Sequence, residues 1–252
     1  KALAEERDPL VPLPEYINCC CTLANRKDES YINTAYEMYL KYKSELDKKI
    51  GITGNVAVLF LLTKMKRYSE AIPVVERILS DSRISKENRL NYCLQKAKLH
   101  YGWANELKES GEASEEEISN LIMDSLTSYR DWEQRFQSDS MLKNSTSFKN
   151  IYYNTVLLGI ANCLIYTNDT ENAAEALKRI KTYNPTNENA CELLSKLNAE
   201  KAEVKADEEN DNDQETDGMD SEDFYDDFED EENEEEYQNN DDIEYVDVSG
   251  WN

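Results

Sequence analysis

Residues 151–198, IYYNTVLLGIANCLIYTNDTENAAEALKRIKTYNPTNENACELLSKLN, hold two helix-length apolar patterns on either side of the polar break NDTEN at 168–172. Val156, Leu157, Ile160, Leu164 and Ile165 recur at three- and four-residue spacing, and so do Ala173, Ala176, Leu177, Ile180 and Tyr183. That period belongs to a helix with one buried face. Asn184-Pro185 predicts a stop, because proline has no N–H and disfavours the helical region in the residue before it. Asn187, Glu188 and Asn189 predict the start of a third helix. An antiparallel pair of such helices cannot bury its apolar face alone, so this stretch must stack on neighbours.

The rest of the chain supplies neighbours of the same kind. Pro9, Pro12 and Pro14 mark a connector, followed by a short helix over 15–25. Ser30 is an N-cap candidate for a helix over 31–50 through Tyr31, Ala35, Met38, Tyr39, Tyr42 and Leu46, with Gly51 as its expected C-terminal glycine. Residues 55–65 and 68–80 form a second pair, with Pro73 near the start of its second helix, where proline is tolerated. Ser85 caps a helix over 86–110 that runs through Leu90, Cys93, Leu94, Ala97, Tyr101, Ala104 and Leu107 to Gly111. Ser114 and Glu117 have the spacing of a capping box, opening a helix through Ile118, Ile122, Leu126, Tyr129, Trp132 and Phe136. Residues 137–147 read as a polar connector, and the terminal helix is expected to run from 187 to about 206.

Glycine and proline are scarce, 7 and 5 residues, which favours an all-α protein. Charge divides the chain in two. Residues 207–252 hold 23 of its 53 acidic residues and none of its 28 basic ones, so residues 1–206 are close to neutral. Hydrophobicity after 207 is too low, and charge too high, for a core. The expectation is therefore a helical domain over 1–206 and a disordered acidic tail over 207–252. Aromatic residues punctuate that tail, and Phe224, Tyr225, Phe228 and Tyr237 are its candidate partner-binding anchors.

The pattern over 151–198 resembles the tetratricopeptide repeat, a helix–turn–helix unit of about 34 residues. Leu157, Ile160, Ala161, Leu164, Ala173, Leu177, Ile180 and Pro185 fall where that repeat places its large, small and terminating residues, with aliphatics in place of its usual aromatics. A poorer copy upstream matches at Val58, Leu62, Tyr68, Ala71, Val75 and Ile78; Leu59 stands where the family prefers a small residue. The degenerate pattern also fits other α-solenoids. The resemblance implies about four stacked antiparallel helix pairs that act as a protein-interaction module. KALAEERDP at the start is similar to the end of a repeat, so further repeats are expected upstream. One subset of the family grips a chaperone's C-terminal carboxylate with Lys, Asn and Arg. Here Val56, Phe60, Leu158 and Asn162 occupy the equivalent positions, and three of the four are apolar, so no clamp of that kind is implied.

Catalytic signatures are missing. The chain has one histidine, His100, whose nearest cysteine in sequence, Cys93, lies two helical turns away. Phosphate-cradling GxxxxGK[ST] and GxGxxG loops and the zinc motif HExxH do not occur, nor does CxxC spacing among the six cysteines. Unpaired, reduced cysteines point to cytoplasm or nucleus. No run of apolar residues is long enough to cross a membrane. The acidic tail repels phosphate, so direct nucleic-acid binding is not expected. These readings converge on a non-enzymatic protein without cofactor or metal. The leading expectation is an assembly chaperone or escort for a basic client such as a ribosomal protein or histone. The alternative is a scaffold subunit of a larger complex.

Overall fold

The computed structural model describes residues 12–26, 30–49 and 51–212, and within them the chain is helical, with no strand. The helices are α1 (Leu13–Arg26), α2 (Ser30–Lys49), α3 (Ile52–Lys64), α4 (Tyr68–Ser80), α5 (Lys86–Ser110), α6 (Glu115–Ser138), α7 (Ser140–Asn144), α8 (Thr146–Ile151), α9 (Leu157–Tyr166), α10 (Thr170–Tyr183) and α11 (Glu188–Asn212). A single π-helical segment, Tyr152–Val156, joins α8 to α9. Most helices pack on their neighbour in sequence: α1 on α2, α3 on α4, α4 on α5, α5 on α6, and α9 on α10. Helix α6 also packs on α9, and α1 on α3.

Local chemistry accounts for several helix ends. The Ser85 hydroxyl accepts the Asn88 amide at 3.2 Å. Ser114 and Glu117 form the reciprocal capping box, with the Ser114 amide donating to Glu117 Oε2 at 2.9 Å and the Glu117 amide to Ser114 Oγ at 3.2 Å. Gly111 takes φ 68°, the left-handed conformation that only glycine adopts without a steric penalty, and so closes α5. Asp169 caps α10 through the Asn172 amide, and Asn187 Oδ1 accepts the Ala190 amide at the start of α11. The α3–α4 and α9–α10 hairpins close with the same turn. Lys66 (φ 54°) and Asn168 (φ 63°) occupy matching positions, and Arg67 and Asp169 each donate their amide to a carbonyl five residues back, Leu62 and Leu164, at 2.9 Å.

The apolar periodicity marks the core. Val156, Leu157, Ile160, Leu164, Ala173, Ala176, Leu177 and Ile180 are all buried, as are Ile118, Ile122, Leu126, Tyr129, Trp132 and Phe136 of α6. Two clusters result. One joins α1 to α4 with Leu99 of α5, and the other joins α5, α6, α9, α10 and the Ala190, Leu194 and Leu197 face of α11. Helix α5 contributes buried residues to both, and Leu79 of α4 packs against each, so α4 and α5 join them.

Several boundaries differ from expectation. Gly51 does not end a helix in the left-handed region; it is extended, φ −76° and ψ −177°, and stands as the N-cap of α3. Pro73 is an interior residue of α4, the sixth, so the Ser69 carbonyl loses its intrahelical donor. The 137–147 connector is largely helical, because Asp139 accepts the Met141 and Leu142 amides and starts α7. Helix α10 begins within the polar break, at Thr170. Tyr183 is 39% exposed rather than on the buried face; it stacks on Tyr153 with ring centroids 4.1 Å apart and donates to Asn150 Oδ1 at 2.6 Å. Helix α11 continues to Asn212, past the end expected near Ala206.

The π-helical segment follows from one large side chain. Tyr152 is fully buried against Phe136 and Trp132, at centroid distances of 4.9 and 6.0 Å. Its hydroxyl donates to Glu133 Oε1 at 2.5 Å and accepts from Arg179. Arg179 in turn pairs with Glu133 at 3.1 Å. The extra residue of a π turn lets this ring and the Val156–Leu157 face enter the core together.

Candidate functional site

The four tail residues expected to bind a partner, Phe224, Tyr225, Phe228 and Tyr237, lie outside the described residues. His100 is buried, with neither ring nitrogen hydrogen-bonded and Nδ1 3.8 Å from Asp124 Oδ2. Burial pushes its pKa below the usual histidine value, against the pull of Asp124 in the other direction. Cys93, one helical face-repeat earlier, meets a different carboxylate; its thiol donates to Asp131 Oδ2 at 3.4 Å. Burial, with Asp131 adding to it, pushes that thiol up to about 12. Cys163, 3.6 Å from Ser125 Oγ, is pushed up to about 11 by burial. All described cysteines are free thiols. Such thiols stay protonated at neutral pH and are poor nucleophiles. No cluster of three His, Cys, Asp or Glu side chains suited to a metal occurs among the described residues, and no helix there is long and apolar enough to cross a membrane.

The concave surface that remains is a groove of about 720 Å³ formed by α5, the start of α6, α9 and α11. Helix α5 presents Tyr101 and Lys108, two turns apart on one face. Helix α9 presents Asn162, Ile165 and Tyr166, and α11 presents Leu193. The left-handed turn at Gly111 and the capping box bring the first turn of α6 back beside them, so Glu115, Glu116 and Ser119 form the rim. A smaller depression of about 300 Å³, between Leu158, Asn189 and Glu192, shares Asn162 and Leu193 with the groove.

The groove's polar groups fall into two kinds. Some are engaged: Lys108 Nζ lies 4.9 Å from the Tyr166 ring centroid, and Glu192 pairs with Lys196 at 2.5 Å. Others are free. Among the described residues, Glu115 and Glu116 have no ion-pair partner, and the Asn162 and Asn189 amide groups make no hydrogen bond. The arrangement can contact an apolar group, attract a cation and hydrogen-bond an amide.

Sequence reasoning located this site only in part. Leu158 and Asn162, singled out by position within the repeat-like pattern, are on its wall. Ile165 and Tyr101 read as core from their spacing; they are half-buried, pack against the core on one side and line the groove on the other. Lys108, Glu115 and Glu116 had no signal beyond charge. The available clue was Asn162 itself, the one polar side chain in the apolar run LLGIANCLIY. The chain matches no known protein-family model, and no curated protein was found to be related to it.

Proposed function

We propose that this chain is a non-enzymatic protein-binding module built of tetratricopeptide-like helix hairpins, working as an assembly chaperone or escort for a basic client. The repeat reading is supported by the two hairpins that carry the resemblance, α3–α4 and α9–α10, which close with the same left-handed turn at Lys66 and Asn168. It is supported too by helices that pack mainly on their chain neighbours, as in arrays where each unit completes the core of the next. The observation that carries the binding reading is the groove itself. It sets two free carboxylates and the free amide of Asn162 around apolar side chains from three helices, and that composition suits a protein segment better than a small anionic ligand.

The acidic residues after 207 have a separate role in this proposal. A run of carboxylates attracts a basic client over about one Debye length, roughly 8 Å at physiological salt, and raises its association rate. Phe224, Tyr225, Phe228 and Tyr237 then supply apolar contact area within that charged segment. The cytoplasm or nucleus is where such a client would be met.

Affinity capture on the tagged chain, followed by mass spectrometry, tests this reading. Three baits are compared: the parent, Asn162→Arg, and a variant with the four tail aromatics replaced by alanine. The proposal expects one basic protein on the parent bait and less of it on both variants. A fixed set of several subunits, insensitive to both variants, would instead favour a scaffold role.

A further inference from the structure

Resting on the reading of the groove as a protein-binding face, we infer that its occupant is an extended basic segment, an apolar side chain flanked by lysine or arginine. Three independent features of the groove point to this chemistry.

The first is charge. Glu115 and Glu116 stand on the rim without counter-ions among the described residues, while the groove's cation, Lys108, is already engaged with the face of Tyr166 at 4.9 Å. Two unpaired carboxylates outnumber one ammonium, whose charge the Tyr166 ring does not cancel, so an incoming cation meets a rim of net negative charge. An acidic segment, including this chain's own residues 207–252 with their 23 carboxylates, would meet like charge at the same rim. Nucleic acid is disfavoured for the same reason.

The second is the lining. Ile165, Tyr166 and Leu193 offer apolar contact beside Tyr101, and a groove of about 720 Å³ is within the size range of ligand sites. An apolar side chain seated there removes area from water, which a purely polar segment would not.

The third is the pair of free amides. Asn162 lines both the groove and the smaller depression of about 300 Å³ that adjoins it, where Asn189 of α11 and Leu158, one turn from Asn162 on α9, complete the lining. Each asparagine carries an acceptor oxygen and two donor hydrogens, the complement of a peptide unit's N–H and C=O. An extended backbone has those groups unspent, whereas a helix has used them internally. The amides therefore select an extended segment over a helical one.

The test uses three fluorescent nonapeptide pools, each with a central photoreactive benzoylphenylalanine and flanking positions drawn from Lys and Arg, from Ser and Asn, or from Asp and Glu. Binding to the full-length chain is read by anisotropy at two salt concentrations, and crosslinked sites are mapped by mass spectrometry. The inference expects the Lys/Arg pool to bind tightest and to crosslink within α5, α9 or α11. E115Q/E116Q should weaken that pool about three- to tenfold and flatten its salt dependence. N162A should weaken it about fivefold at both salts. Both substitutions sit on accessible positions and leave the Ser114–Glu117 capping box in place, so unchanged melting verifies the fold. Because the acidic residues after 207 attract cations by themselves, crosslinks confined to 207–252, unaffected by either variant, overturn the inference. Groove crosslinks made equally well by the Ser/Asn or Asp/Glu pools overturn the basic occupant and keep the groove as a protein-binding face. No groove crosslink from any pool overturns both.

Discussion

Gly159→Ala is expected to destabilise the protein, although glycine is a poor helix former and alanine the best. A Cβ at position 159 would lie 2.2 Å from Tyr129 Cζ, 2.5 Å from Cε2 and 2.7 Å from Cε1. Carbon atoms in favourable contact are about 3.5–4.0 Å apart, so the ring must retreat by more than about 1 Å. Tyr129 is 4% exposed, and the atoms in conflict belong to a rigid ring, not a flexible chain end. Overpacking of this kind costs about 1–3 kcal/mol, and the contact is close enough to reach the upper end. Helix propensity returns about 1 kcal/mol. The net loss is about 1–2 kcal/mol, or about 2–8 °C in Tm for a domain of this size. Denaturant and thermal melts of Gly159→Ala, Tyr129→Leu and the double variant measure it. The two losses should be strongly non-additive, since leucine vacates the space the new methyl needs. Gly102→Ala is the graded comparison. Its Cβ would meet the ring of half-buried Tyr68 at 2.9 Å, and that ring can yield, so its Tm should stay within about 2 °C of the parent. A Gly159→Ala protein that melts at or above the parent temperature refutes the account of how α9 seats on α6.

Three further outcomes are expected. His100 has a folded pKa below its unfolded value, so the native state binds fewer protons just below pH 6.5; the stability that neutral His100 allows is present above that pH and is lost as pH falls, and His100→Leu should flatten the slope of stability between pH 7 and 5.5, with Asp124, Lys96 and Glu76 as the charged groups that modulate it. Pro73 is exposed inside α4, so Pro73→Ala should restore the bond to the Ser69 carbonyl and raise stability by about 1–2 kcal/mol by denaturant titration; a loss of stability would mean the helix is built around the proline. Alkylation by iodoacetamide at pH 8, followed by mass mapping, should label exposed Cys19 first and Cys191 next, while Cys21, Cys93 and Cys163, each pushed up to about 11 or 12 by burial, react only on unfolding; equal rates at Cys19 and Cys93 would contradict their placement.

What the sequence determined by itself was local. The ends of α5, α6 and α10 were legible because capping is settled by a few adjacent residues: Ser85, Gly111, the Ser114–Glu117 pair and Asn184-Pro185. The buried faces of α6, α9 and α10 were legible because a helix repeats its orientation every 3.6 residues. Tertiary structure decided the rest. Three-and-four spacing identifies a half-buried face without saying whether a neighbour or a groove covers its flank, so Tyr101 and Ile165 read as core, and that they also line the site was not legible. Gly159 gives no pattern of its own; its role comes from a tyrosine of another helix. The π turn before α9 arises from the fit of Tyr152 against Trp132 and Phe136, distant in sequence. Glu115 and Glu116 look like ordinary first-turn acids until the turn at Gly111 sets them beside α9 and α11. Their meeting with Asn162 and Leu193 depends on packing between helices far apart in the chain, to which a local pattern carries no information.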